Sequence, residues 1–308
     1  MRRNSTPRGR SKHQHWVPQF YLRYFATAAS RSEEYPQVWI FSTEPDDGDE
    51  KLTSVRNVCG KRFLYSPVQP GGERDWSLDE RLDSLESALG MVWPALAEGF
   101  VNLADQPLRQ GIALFTAVMY LRNPEVRSEV EQIHRKLVLL YEAAPRLPDG
   151  TLNIGSIEIS GQVHRFDSSG WHEYRSWTKN EHDRFFAQLV RSEATRIADH
   201  LLRKRWSVVF ANEETFITTD KPVAMHHQSK ERYGFGTEGT MITFPLSPTR
   251  MLVLDDMHNE PANQYYPLQD GSGASFNFTT WRNASRFLIT GRPVPVVLEE
   301  MLALETVT

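Results

Sequence analysis

The chain has 308 residues, of which 40 % are hydrophobic and 24 % are charged, and its formal net charge at pH 7 is −4. This composition is that of an ordinary globular protein and excludes an intrinsically disordered chain. A single cysteine, Cys59, excludes an intrachain disulfide framework and a cysteine-rich zinc site. No apolar run approaches the roughly 18 residues that a membrane-spanning helix needs, and no signal-peptide core follows the N-terminus. We therefore expect a soluble, cytoplasmic protein without a membrane partner.

The first residues of the chain form a basic segment. Residues 1–12 contain no acid and five basic side chains, which are Arg2, Arg3, Arg8, Arg10 and Lys12. Serine, proline and glycine accompany them, so we expect a flexible leader followed by one domain over residues 13–308. The leader is either an electrostatic arm for the phosphates of a nucleic acid or a solubilising tail.

A short segment after the leader combines two histidines, His13 and His15, with a tyrosine, Tyr21, and an arginine, Arg23. Pro18 stands where a helix tolerates the missing N–H. The two histidines point the same way, as a shared metal ion requires, only if they lie on an extended strand. The alternative is that one of them forms a hydrogen bond near the helix start while the other faces solvent.

The next residues predict a short strand over 37–41, a surface loop over 42–50 and a long helix. Ser77 and Glu80 have the spacing of a capping box, in which each side chain binds a backbone N–H of the first turn. We expect Pro94 to kink this helix. The apolar residues at intervals of three and four predict its buried face: Leu78, Leu82, Leu85, Leu89, Val92, Leu96 and Phe100.

Two further helices are predicted over 105–121 and from Pro124 to about Tyr141, since Asn123-Pro124 ends the first and opens the second. Successive helices with short connections are typical of a bundle, which would form a helical subdomain over residues 76–145. Glycines interspersed with β-branched residues then predict a hairpin within 145–175.

A second capping box, from Thr178 to Glu181, predicts a helix that reaches about Arg205. The following pattern is mainly that of strands, at 206–211, 215–218, 241–244, 251–254 and 287–290, with short helices at 277–286 and 296–305. The fold class we expect is therefore α+β, with a central helical bundle and a mainly antiparallel C-terminal sheet.

Several short motifs resemble those of a prokaryotic family known as domain of unknown function 4238. They are His15–Arg23 with Phe25, Asn57-Val58 with Phe63 and Tyr65, Leu85-Glu86, Leu121–Pro124, Phe216–Val223, Phe244–Ser247 and Asn277. The resemblance spans roughly residues 12–290 and implies no activity. The chain departs from the family pattern at Lys221, where asparagine is usual, and at Gln14, where a second adjacent histidine is frequent.

Three residues, His15, Glu86 and Asp220, are the candidate catalytic groups. Asp220 follows a predicted strand and precedes a turn fixed by Pro222, a common place for a catalytic carboxylate, although an Asx-turn explains the position equally well. Glu86 lies at the edge of an apolar helix face and needs a partner such as Arg122 or His15. We expect these side chains to converge as one polar cluster, or else to make separate structural contacts.

Arg23, Arg122 and Tyr21 are the candidate substrate-binding residues, and Arg23 has the alternative of a salt bridge to an acid such as Glu86. The histidines and carboxylates would supply acid–base groups or hold a divalent ion, whose ligands stay unassigned. We therefore expect a phosphodiester-cleaving enzyme, a nuclease, that draws nucleic acid through the basic leader. The alternative is a non-catalytic binding or regulatory protein in which the polar cluster is structural.

Overall fold

A computed structural model describes residues 11–42, 50–149, 156–159, 162–165 and 170–303. The predicted leader, apart from residues 11 and 12, and most of the predicted 42–50 loop lie outside the described residues, as does the end of the predicted last helix.

The described residues form a mixed α+β structure with its helices mainly in the middle of the chain. The α-helices are α1 Gln19–Leu22, α2 Ser77–Glu98, α3 Gln106–Leu121, α4 Pro124–Ala143, α5 Trp171–Arg175, α6 Lys179–Arg203, α7 Ser272–Arg282 and α8 Val294–Leu302. Short 3₁₀ helices cover Arg23–Phe25 and Val55–Asn57. None of the described helices is both long and apolar enough to cross a membrane.

The strands are divided among several sheets. They are β1 His13–His15, β2 Gln37–Ser42, β3 Lys51–Ser54, β4 Gly60–Arg62, β5 Ser156–Ile159, β6 Gln162–Arg165, β7 Arg205–Phe210, β8 Thr218–Thr219, β9 Ala224–His226, β10 Met241–Ser247, β11 Arg250–Asp255, β12 Gln264–Pro267 and β13 Phe287–Thr290. One sheet has the order β12-β7-β11-β10-β9 and is antiparallel except where β12 joins β7. The mainly antiparallel C-terminal sheet is thus confirmed.

A second antiparallel sheet has the order β3-β2-β13-β8 and joins the two ends of the chain. β5 and β6 form the hairpin predicted within 145–175. β1 and β4 form a further two-stranded antiparallel ladder. Side chains of β1 and α2 line a common cavity, which is described below.

Side-chain caps explain where three helices begin. The Asp105 carboxylate accepts a hydrogen bond from the backbone N–H of Leu108 (3.0 Å) ahead of α3. The Asn123 side chain accepts one from the N–H of Glu125 (2.8 Å) ahead of α4. The capping box predicted at Thr178 is present at the start of α6.

The capping box predicted at Ser77 is wrong. α2 begins at Ser77 with Trp76 as the preceding residue and no side-chain cap. The backbone N–H of Ser77 instead binds the Asp75 carboxylate (2.9 Å), and its hydroxyl accepts a hydrogen bond from Arg191 (2.7 Å). The acid two residues upstream therefore takes the role that the motif assigned to the serine.

The buried face of α2 differs from the prediction in its second half. Trp93 is fully buried, whereas Val92 is 40 % exposed, and Phe100 lies beyond the helix and is 63 % exposed. Helix α2 continues through Pro94. Trp93 packs against Tyr21, Phe115 and Phe244, so α1, α2, α3 and β10 meet in one aromatic core.

Candidate functional site

β1 holds His13 and His15 on one face of its ladder with β4. Side chains alternate along a strand, and the two imidazole centroids are 4.9 Å apart. Gln14, between them, is buried on the opposite side. Its Oε1 accepts from the backbone N–H of Tyr65 and its Nε2 donates to the Ser66 hydroxyl, each at 2.7 Å. The buried amide thus anchors the strand that presents both histidines.

The chain that enters β4 passes directly beneath His13. A Cβ added to Gly60 would lie 2.1 Å from Cε1 of His13, so a side chain at this position would displace the ring. The preceding residue, Cys59, is buried and has a φ of 56°, and its carbonyl accepts from the backbone N–H of Trp16 (2.8 Å). Burial raises the pKa of the Cys59 thiol well above its ordinary value. The turn at Cys59 and Gly60 thus sets how closely the backbone approaches the His13 ring.

His15 is oriented by a backbone carbonyl. Its Nε2 lies 3.1 Å from the carbonyl oxygen of Arg56, which can only accept, so Nε2 carries the hydrogen. The Nδ1 atom is then the free acceptor, and the nearest partner is the Gln19 amide at a long 3.4 Å. Burial lowers the pKa of His15, so the ring is neutral at pH 7.

A cavity of 230 Å³ opens between β1 and the N-terminal half of α2. Its acidic wall consists of Asp79, Asp83 and Glu86, which share one face of the helix because they are spaced by four and three residues. His13 and His15 line the opposite side. The other lining residues are Ser11, Gln14, Gln19, Phe20, Tyr65, Leu82 and Arg122.

Two acids of this wall, Asp79 and Asp83, hold their protons more tightly than usual. Burial, followed by the neighbouring charge of Asp83, raises the pKa of Asp79 to about 6. Burial also raises the pKa of Asp83, while Arg122 opposes this shift. Asp79 is therefore partly protonated near neutral pH and can donate a proton.

Arg122 joins the cavity to the helical core. It is fully buried at the end of α3, and its Nη1 lies 2.6 Å from the Glu86 carboxylate. Its Nε donates to the carbonyl of Trp16 (2.7 Å), and its Nη2 lies 3.4 Å from the sulfur of Met119. The Tyr65 hydroxyl donates to the Arg122 carbonyl (2.9 Å). Arg122 thus positions Glu86 and the segment after β1.

Asp220 lies apart from this cavity. Its side chain is turned towards the start of β13, where Oδ1 accepts from the backbone N–H groups of residues 285, 286 and 287 at 3.0, 3.2 and 3.4 Å. Its own carbonyl accepts from Trp16 Nε1 and from the Asn123 amide, each at 2.9 Å. Burial raises the pKa of Asp220. The Asp220 carboxylate therefore links its own segment to the backbone of residues 285–287. The Asx-turn considered above would instead have used backbone N–H groups near Pro222.

Tyr21 and Arg23 also make contacts away from the cavity. The Tyr21 hydroxyl is buried and binds the Pro245 carbonyl (2.7 Å) and the Thr218 hydroxyl (2.8 Å). Arg23 donates to the carbonyls of Glu33 (3.0 Å) and Arg31 (3.5 Å), and these are backbone contacts rather than the acid pairing considered above. Of the six residues predicted for the site, the structure brings together His15, Glu86 and Arg122.

A second cavity, of 620 Å³, adjoins the first on the other side of the histidines. The two cavities share Ser11, His13, His15 and Gln19. The remaining lining residues of the second are Tyr35, Ser54, Arg56 and Asn57. Among the described residues no carboxylate lines this second cavity, whereas three line the first.

Sequence reasoning missed Asp79, Asp83, Tyr35 and Arg56. The signal for the first two was available, because Asp79, Asp83 and Glu86 follow helical spacing on a helix that was predicted. In the part of the chain that the structure describes, no group of three or more His, Cys, Asp or Glu side chains has an arrangement that could hold a metal ion.

Comparison with known proteins gives one result that covers most of the chain. No curated protein gave a significant match, and no solved structure did either. The family described as "Protein of unknown function (DUF4238)" matches residues 13–293, a range that begins at the first histidine of β1 and ends just before α8. The chain belongs to the DUF4238 family.

Proposed function

We propose that this protein is a phosphodiester-cleaving enzyme that acts on nucleic acid, with its active site in the cavity between β1 and α2. One observation carries the proposal: a neutral histidine, His15, and a protonatable acid, Asp79 with a pKa of about 6, line the same cavity. Acid–base catalysis near neutral pH needs one group that accepts a proton and another that donates one.

The roles follow from the hydrogen bonds of His15. Nε2 is held by the Arg56 carbonyl, so Nδ1 is the atom that takes a proton from the attacking hydroxyl or water. Asp79, in its protonated form, gives a proton to the oxygen that leaves phosphorus. The P–O bond to the nucleophile replaces the bond to the leaving oxygen. After this step His15 is protonated and Asp79 is ionised, and proton exchange with water returns both groups to their starting states.

The charges near the cavity mouth support an anionic substrate. Ser11 lines both cavities, and the five basic residues of 1–12 adjoin it in sequence. Lys61 and Arg62 are exposed on β4, directly opposite Gln14 and His13. Exposed basic side chains such as Arg62, which shares the His13 face of the ladder, favour the binding of a phosphate backbone.

The test is cleavage of end-labelled single-stranded RNA, single-stranded DNA and duplex DNA by the full-length protein, with EDTA and with Mg²⁺. We expect Asp79→Asn and His15→Gln each to lower the cleavage rate about 100-fold or more. Matched controls are Glu80→Gln, an exposed acid on the same helix outside the cavity, and His258→Gln, an exposed histidine elsewhere. The proposal fails if the wild type cuts none of these substrates, or if the controls lose as much activity as the site variants.

The leader is tested separately. Replacing Arg2, Arg3, Arg8 and Arg10 with glutamine should weaken nucleic-acid binding and flatten its dependence on salt concentration, because fewer counterions are released. An unchanged salt dependence would remove the leader from the proposal.

One observation favours the alternative, a non-catalytic binding or regulatory protein. Arg122 is the buried cation among the described residues that line the acidic cavity. Its N–H groups contact Glu86, the Trp16 carbonyl and the Met119 sulfur, so they are used within the fold and are not free for a substrate phosphate. Under this alternative the site variants bind nucleic acid as the wild type does, and none of them changes a cleavage rate.

A further inference from the structure

We propose that the 620 Å³ cavity is a nucleobase-binding subsite and that the substrate is therefore single-stranded nucleic acid. This inference rests on the proposed function and specifies its substrate class. The volume falls within the range of about 300–1,000 Å³ that is usual for small-molecule sites.

The cavity contains a cation–π pair formed by Arg56 and Tyr35. The Arg56 guanidinium lies over the Tyr35 ring, 4.8 Å from its centroid. Tyr35 remains 48 % exposed although it is a large aromatic residue, so a planar ligand can still reach the pair. Aromatic rings and guanidinium planes are the surfaces on which unpaired bases stack in proteins that bind single strands.

The rest of the lining suits a nucleotide. Ser54 and Asn57 offer neutral hydrogen-bonding groups, and none of the described residues that line the cavity is a carboxylate that would repel a phosphate. The acidic cavity on the other side of the histidines carries three carboxylates, so a base and its phosphate would be drawn to the Arg56 side first.

Arg56 connects the nucleobase subsite to His15, the proposed general base. Its side chain covers Tyr35 while its carbonyl holds Nε2 of His15. A strand whose base lies on Tyr35 would therefore have an adjacent phosphate near the shared wall formed by His13 and His15. A duplex cannot use this arrangement, because its bases are already stacked and paired.

The experiment measures equilibrium binding in EDTA, with fluorescein-labelled oligothymidylate and an abasic oligomer of the same length. We expect the wild type to bind oligothymidylate at least about fivefold more tightly than the abasic oligomer. Tyr35→Ala should abolish this preference and Tyr35→Phe should keep it. Arg56→Gln is a second variant that should reduce it, and Tyr266→Ala, which alters an exposed tyrosine on β12, is the matched control.

Each remaining outcome overturns the inference. Equal binding of both oligomers by the wild type would show that only the backbone is bound, and failure to bind either would leave the cavity without a base ligand. A preference that survives in Tyr35→Ala would place the bases elsewhere. The cleavage assay is independent: base-dependent binding without cleavage refutes the nuclease and keeps the subsite, whereas cleavage without base-dependent binding does the reverse.

Discussion

The two polar regions that include the predicted catalytic acids differ in how their carboxylates are used. Asp220 is 1 % exposed and its Oδ1 accepts three backbone N–H groups. Asp79 lines an open cavity among other acids, and burial raises its pKa to about 6. A carboxylate that is saturated by backbone donors maintains the fold, whereas one that lies among like charges is costly to keep and is available for chemistry.

The sharpest test of this contrast is Asp220→Ala, for which we expect the largest loss of stability. Three backbone N–H groups would lose their buried acceptor, which costs about 3 kcal/mol of unfolding free energy. Urea denaturation measures the loss. Asp220→Asn keeps an acceptor oxygen and should lose about 1 kcal/mol. An Asp220→Ala protein as stable as the wild type would break the comparison.

The next largest effect should come from Arg122→Met. The change removes the hydrogen bonds to the Trp16 carbonyl and to Glu86, while the methionine fills much of the buried volume. We expect a loss of about 2 kcal/mol, below the cost for a fully buried pair, because the Glu86 side chain is 25 % exposed and can be hydrated. Thermal unfolding tests this, with Arg184→Met, in an ion pair whose two side chains are both partly exposed, as the control that should lose less.

Asp79→Asn, unlike the two preceding substitutions, should raise the unfolding free energy. The pKa of Asp79 is about 6 in the folded protein against an ordinary 3.8, so the folded state binds more protons between these pH values. The wild type therefore loses stability as the pH rises from about 4 to about 6, and the variant does not. This shift corresponds to roughly 3 kcal/mol, but Asp79 is only partly buried and solvent screens its charge, so we expect the variant to be more stable by about 1 kcal/mol at pH 8 and equal at pH 3.5. A variant that is less stable at pH 8 would mean that Asp79 is a structural residue like Asp220.

The smallest effect on stability should follow Gly60→Ala, which acts on the histidines rather than on the acids. The added methyl group must push the His13 ring aside, and because that ring is exposed the change should cost less than about 1 kcal/mol. The imidazole resonances of His13 and His15 should nevertheless shift in NMR spectra, while His258 serves as the unaffected reference. Unchanged resonances would show that the close approach of the Gly60 backbone does not set the position of the His13 ring.

Local patterns predicted the helices well and the sheets only in part. Asp105, Asn123 and Thr178 cap helices whose ends fall within a few residues of the prediction, because a cap is specified by its own neighbours. The sheet that joins β2 and β3 to β13 was not predictable, since the pairing partners are more than 200 residues apart in sequence.

The candidate site was predictable to a similar degree. The sequence suggested that His15, Glu86, Arg122 and Asp220 converge as one polar cluster, or else make separate structural contacts. The first three line one cavity, whereas Asp220 lies elsewhere. Asp79 and Asp83 were overlooked because acids on the outer face of a helix are usually solvated, and only the packing of β1 over α2 changes their surroundings. Asp220 was singled out for a local motif, although its hydrogen-bond partners lie some 65 residues away.

The chain contains one cysteine, and its buried thiol can report local opening of the structure near the histidine strand. Cys59 is 2 % exposed and is joined to the segment after β1 through the Trp16 amide. A thiol-specific alkylating reagent can reach it only when the structure around the thiol opens locally. The alkylation rate of the native protein would therefore report how often this part of the core opens, without any label introduced by mutation. Slower alkylation in the presence of an oligonucleotide would show that the ligand suppresses this opening.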